Sequence, residues 1–271
     1  MRMPRQICVF RPNLRSWWAS AKMYCPLNGS AVPSKVIIRP QHGSLLFITQ
    51  PDHAAAAADL VQHFDGFRSN PRRAEIHLAV REHDSGWHEL DRDLVFDGAR
   101  GKAHDFMTVP EPWKQSVWPK AIEQVAPTSP YAAALIAEHA IFVYSVNRGT
   151  PEWDTFFETM ETRRTDLLAR AGIPLDTLRT DYPFLGVADL VSLSFCHGWE
   201  TPKARFGRTV ICEGAAVTMT PSLLPEAPVP VRVRMRRIPD ESFDSHAALR
   251  QALERAAAEF LTGVARAGST A

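Results

Sequence analysis

The sequence predicts a mostly α-helical protein, a helical bundle with a small β-sheet formed from an N-terminal hairpin and C-terminal strands. Three observations carry this expectation. Apolar residues recur at helical spacing from about Asp52 to Trp199. Period-two alternation is confined to the flanks of that region. Proline and glycine punctuate it where helices should start and stop.

The chain opens with a basic extension, residues 1–34. Arg2, Arg5, Arg11, Arg15 and Lys22 lie in a stretch with no acidic residue before Asp52. An Arg-rich, acid-poor opening also fits a transit peptide, whereas a secretory signal needs an apolar core that is missing here. A single domain over 35–271 is expected to follow. "KVIIRP" and "SLLFITQ", separated by "QHG", read as a hairpin. Asp52 is placed to cap "DHAAAAADLVQHF", a helix stopping near Gly66, and a second helix runs from about Arg72 to Asp84.

Residues 91–112 read as a long loop containing Gly98, Gly101, Pro110 and Pro112, a length that often marks a pocket wall or lid. Helices resume in "PWKQSVWPKAIEQV", with a bend expected at Pro119. "SPYAAALIAEHAIFVYSV" follows, started by Ser129 and Pro130. Pro151 to Gly172 and "DYPFLGVADLVSLSFCHGW" continue the helical period. "RTVICEG", "AVTMTPS" and "VPVRVRMRRI" then alternate as strands, and a last amphipathic helix is expected over Ser245–Ala265, burying Leu249, Leu253, Phe260 and Val264.

Composition excludes several function classes. Lys and Arg (31) nearly balance Asp and Glu (30), so no global field points to nucleic acid or an acidic membrane surface. No window approaches the ~20 apolar residues of a membrane span. Cys8, Cys25, Cys196 and Cys212 show no CxxC spacing, which argues for reduced thiols and a cytoplasmic location.

The chemistry concentrates in "IHLAVREHDSGWHEL", residues 76–90. Ile76, Ala79, Val80, His83 and Trp87 share one helix face, which thus ends in an imidazole followed by the Asp84 carboxylate. Buried titratable groups are costly unless they bond to each other and to backbone, or hold a metal. The pattern recurs on three more helices: His53 beside Leu60 and Val61, His139 beside Leu135 and Ile136, and Asp189 beside Leu185 and Leu193. A lone inward histidine is usually a satisfied core residue. Four such helices in one bundle shift the reading to a divalent metal (Mn, Fe, Ni, Zn or Mg), as one or two ions.

Four blocks, "LLFITQPDHAAAAADL", "AVREHDSGWHELD", "SPYAAALIAEHAIFVY" and "ADLVSLSFCHGW", resemble an uncharacterised family, domain of unknown function 3891, over roughly Lys35 to Val264. More distantly, the order His53, His83-Asp84, Asp189 resembles the HD-domain superfamily of metal-dependent phosphohydrolases. That second resemblance implies an HD-like bundle with His53, His83, Asp84 and Asp189 as ligands. It places His139 where binuclear relatives add a second-metal histidine. Asp84 and His139 are the implied catalytic groups, Asp84 to bridge metals or orient water. The implied substrate is a small phosphorylated molecule, and self-association into a homo-oligomer is compatible with the chain. Two alternatives stay open: a non-catalytic HD-like module for ligand sensing or interaction, and a di-iron HD-type oxygenase that counts His104 among its ligands.

Other features read more plainly. Arg81 faces solvent, and Arg148, Arg163 and Arg164 are helix-face charges, so no basic cluster clamps a polyphosphate beside His83. Arg232, Arg234 and Arg236 fit the wet face of an edge strand. Trp87 reads as a packing residue that can also wall a pocket. Ser192 and Ser194 lack a nucleophile elbow, and "GARG" lacks the context of a phosphate loop.

Overall fold

A computed structural model describes residues 36–88 and 96–268; the basic extension, Cys8 and Cys25 lie outside that range. The expected hairpin forms from β1 (Val36–Gln41) and β2 (Ser44–Thr49), with Gln41 opposite Ser44. Its two-residue turn, His42-Gly43, has positive φ at both positions (49° and 72°), the conformation whose twist matches a hairpin. Helix α1 (Gln50–Val61) follows. Its cap is Thr49 rather than Asp52: the Thr49 hydroxyl accepts from the Asp52 amide at 3.1 Å and donates to the Asp52 carboxylate at 2.7 Å.

Helix α2 (Arg73–Glu82) stops one residue before His83-Asp84, and a 3-10 turn covers Ser85–Trp87. The expected long loop carries a minimal hairpin, β3 (Phe96–Asp97) and β4 (Lys102–Ala103). Helix α3 (Glu111–Val125) runs through Pro119, and α4 (Pro130–Val143) is capped by the Ser129 hydroxyl accepting from the Ala132 amide at 3.1 Å. Helices α5 (Pro151–Ala171) and α6 (Leu175–His197) each end on a left-handed glycine, Gly172 and Gly198. The remaining elements are β5 (Lys203–Arg205), β6 (Arg208–Glu213), β7 (Ala216–Thr220), β8 (Val229–Pro239), α7 (His246–Arg255) and β9 (Ala258–Ala267).

The fold class departs from the mostly helical expectation. The described residues are 49% helix and 23% strand, and a seven-stranded curled sheet dominates. Its order is β1-β2-β8-β9-β7-β6-β5, so the N-terminal hairpin and the C-terminal strands form one layer. One cause is the C-terminal segment expected to be helical throughout. Helix α7 ends at Arg255, and "AEFLTGVARA" instead pairs antiparallel with β8 and parallel with β7. Leu261 and Ala265 are buried there, whereas Phe260 is 46% exposed. Gly263 fits the strand because a Cβ there would lie 2.1 Å from the Ala215 carbonyl and 2.5 Å from the Phe195 ring.

Strand β8 is not an edge either, since β2 and β9 flank it. Its buried face (Val229, Val231, Val233, Met235) joins the main core with Leu60, Ile136 and Leu190 from α1, α4 and α6. Helix α7 covers the opposite face near β1, β2 and the end of β8, where Leu249 and Leu253 pack on Val36, Leu45, Phe47 and Ile238. Arg236 is not merely wet, since it bonds the Leu253 carbonyl at 3.1 Å and the Ala256 carbonyl.

Among the helices, the Asp181 carboxylate accepts from Asn70, from Arg72 and from the Tyr131 hydroxyl, the last at 2.5 Å. This satisfied cluster ties α6 to α4 and to the segment before α2. No helix among the described residues is long and apolar enough to cross a membrane.

Candidate metal centre

Four helical segments aim polar groups at one point in the core. His53 comes from the first turn of α1, His83 from the end of α2, Asp84 from the entry to the 3-10 turn, and Asp189 from the middle of α6. The Asp84 Oδ2 lies 3.2 Å from both His53 Nε2 and His83 Nε2. The Asp189 Oδ1 lies 3.5 Å from the first nitrogen and 3.6 Å from the second. None of the four residues is more than 7% exposed.

Hydrogen bonding fixes which nitrogen each imidazole presents. His83 Nδ1 lies 2.7 Å from the Val80 carbonyl, which can only accept, so that nitrogen carries the proton. His53 Nδ1 lies 2.7 Å from the Ser192 hydroxyl, whose own proton goes to the Asp189 carbonyl at 3.2 Å. With the Ser192 proton on that carbonyl, His53 donates from Nδ1 too. Both Nε2 atoms are left turned inward, buried and without a hydrogen-bond partner. Such orphaned buried polar atoms are rare in a folded protein and require an explanation.

The carboxylates are equally constrained. Asp84 Oδ1 accepts from the Trp87 indole at 3.0 Å, leaving Oδ2 for the imidazoles. Asp189 Oδ2 accepts from Arg205 at 2.5 Å, leaving Oδ1 for them. Burial opposes the charge on both acids. For Asp84, His83 and then His53 outweigh it and hold the carboxyl below its ordinary range. For Asp189, Arg205 leads and His83 follows. Burial likewise disfavours a charged His83, but Asp84 and Asp189 hold its pKa well above the usual histidine value. Two ionised carboxylates thus draw positive charge to this point, which a proton on His83 supplies in the metal-free centre and a bound cation would supply in its place.

The donor set fits a divalent metal. His53, His83 and Asp189 form a buried trio whose ligand atoms all lie within 4.8 Å of one another, and it can hold such an ion. Neighbouring ligands on one ion with bonds near 2.0–2.1 Å stand about 2.9–3.4 Å apart, close to the separations above. Bound imidazoles ordinarily donate their second N–H to a carbonyl or polar partner, as His83 and His53 do here.

His139 is adjacent to this centre without sharing it. Its Nε2 faces Asp189 Oδ2 at 3.7 Å, the oxygen that Arg205 holds, and its Nδ1 lies 2.9 Å from the Tyr182 hydroxyl. Burial, with His83 and Arg205 adding to it against the pull of Asp189, lowers the His139 pKa to about 3, so it is neutral. His104 pairs with the Thr108 hydroxyl at 3.2 Å and is not in the buried trio. Arg163 and Arg164 are engaged by Glu123 and Glu138.

Three partners were not expected from the sequence. Ser192 is legible on the Asp189 face, three residues on, but not as a partner of His53, whereas Tyr182, seven residues before Asp189 on the same face, could have been flagged by that spacing. Arg205 carries no such signal, because it reaches Asp189 from β5 after a change of direction. Trp87 packs as expected, and its indole N–H also orients Asp84.

A family of proteins described as "Protein of unknown function (DUF3891)" matches residues 36–240, and the chain belongs to it. That span contains every residue of the candidate centre. Neither curated proteins nor solved structures give a significant match.

Proposed function

We propose that this member of the DUF3891 family holds a divalent transition metal with His53, His83, Asp84 and Asp189 and hydrolyses a phosphoester. The observation behind this reading is the pair of buried Nε2 atoms that lack hydrogen-bond partners between two ionised carboxylates. When bound, a divalent ion supplies Lewis acidity toward a phosphoryl oxygen and acidifies water toward neutrality.

The chain's own residues would do the rest. Asp84, fixed through Oδ1 by Trp87, would hold the ion through Oδ2 and accept there from a water beside it. His139 would stand beside the reacting centre as a neutral imidazole, with Tyr182 on Nδ1 and Nε2 turned toward Asp189. Arg205, whose guanidinium holds Asp189 Oδ2, would offset negative charge brought in by a phosphoryl group.

One observation favours a second reading. Every donor is buried, and four protein ligands on one ion resemble a closed structural site more than an open catalytic one. On that reading the centre orders a non-catalytic module that senses a ligand or partner. Turnover of p-nitrophenyl phosphate and bis(p-nitrophenyl) phosphate by protein loaded with Mn, Fe, Co, Ni or Zn separates the two. Hydrolysis with at least one metal, lost in Asp84→Ala, supports the hydrolase. Full metal occupancy without turnover of either probe overturns it in favour of the module.

A further inference from the structure

The β5–β6 turn is inserted into the helical layer beside the centre. Its two residues, Phe206 and Gly207, both have positive φ (50° and 70°). A bulky aromatic residue rarely adopts that conformation, so its side chain must hold it there. The Phe206 ring stacks on Phe142 of α4 at 5.0 Å and meets Tyr182 of α6 edge-on at 5.5 Å. It also fills a notch in α6: a Cβ on Gly186 would sit 2.5 Å from the ring. Gly186 is thus the position at which α6 admits the turn, one helical turn before Asp189.

Arg205 immediately precedes this anchor. Its Nη1 donates to Asp189 Oδ2 at 2.5 Å and to the Gly186 carbonyl at 2.9 Å, with a side chain only 7% exposed. A buried guanidinium is costly unless tightly paired, and Asp189 with the Gly186 carbonyl supplies that pairing.

We propose that Arg205, seated by the Phe206–Gly186 contact, is the positioning residue of the metal centre: it engages Asp189 Oδ2 so that Oδ1 faces the His53 and His83 imidazoles. This rests on the metal reading above. A carboxylate free on both oxygens can rotate or bind through both, and the guanidinium removes that freedom. The sheet therefore completes a site whose ligands all come from helical segments.

The test uses Co(II) as probe, measuring its dissociation constant by chelator competition and its visible absorption spectrum. Arg205→Gln is expected to raise the dissociation constant about 10–100-fold, the usual effect of losing a ligand's hydrogen-bond partner, and to change the spectrum while far-ultraviolet circular dichroism stays native. Phe206→Ala keeps the guanidinium but unseats the turn, so a smaller rise with the same spectral change is expected. Wild-type affinity and spectrum in a folded Arg205→Gln overturn the proposal. Should that variant not fold, the same result in Phe206→Ala overturns it. Wild-type protein that binds no Co(II) defeats the metal reading itself, a result distinct from either.

Discussion

Replacing Ser192 with alanine tests the tautomer that makes His53 a ligand. Ser192 is fully buried, and its hydroxyl connects the Asp189 carbonyl to His53 Nδ1. Without it, His53 has two choices. If the proton stays on Nδ1, a buried N–H loses its acceptor, at a cost of about 1–3 kcal/mol. For a chain of this size that lowers Tm by roughly 2–12 °C, taking about 2–4 °C per kcal/mol. If the proton moves to Nε2, the stability loss shrinks but the inward lone pair disappears, and metal affinity falls about 10–100-fold. Calorimetry of the metal-free protein and titration with Zn(II) read the two quantities separately. Loss in at least one is expected. A variant with wild-type Tm and wild-type affinity would refute the assignment of the His53 proton.

Asp189→Asn keeps the shape but removes the carboxylate charge opposite the buried Arg205 guanidinium, so thermal unfolding should show about 3–5 kcal/mol of lost stability together with loss of bound metal. Gly86→Ala adds a Cβ 2.0 Å from the Val117 carbonyl; it should cost about 1–3 kcal/mol and weaken metal binding by displacing Asp84, although no ligand is changed. The pKa of His139 falls on folding from 6.5 to about 3, chiefly through burial, so the folded state binds fewer protons between those values. That contribution to stability is complete above about pH 6.5 and declines as pH falls toward 3. His139→Gln should accordingly flatten the acid limb of the metal-free stability profile, measured by urea unfolding, and an unchanged slope would contradict a buried neutral imidazole.

Local signals carried much of this fold. Ser129 and Pro130 start α4 as their chemistry dictates, and Gly172 ends α5. The inward faces were also legible, because a histidine or aspartate among apolar neighbours at helical spacing must point the way those neighbours point. Hence His53, His83, Asp84 and Asp189 could be gathered before any geometry was known, with His139 one position removed. The weight of the sheet was not legible. "AEFLTGVARA" continues an amphipathic helical pattern from α7, and only its pairing with β8 and β7 makes it a strand. Strand propensity is decided by neighbours that lie far away in sequence. Arg205 was missed for the same reason. Its role depends on a turn wedged against Gly186, which leaves no periodic trace.

The most direct test of the account is elemental analysis of protein purified without a metal-affinity column, alongside Asp84→Ala. Close to one equivalent of a divalent transition metal per chain is expected, lost in the variant while the fold persists. Wild-type protein that carries no metal and takes up none of Mn, Fe, Co, Ni or Zn when they are supplied would contradict it. His53, His83, Asp84 and Asp189 would then be a polar core cluster.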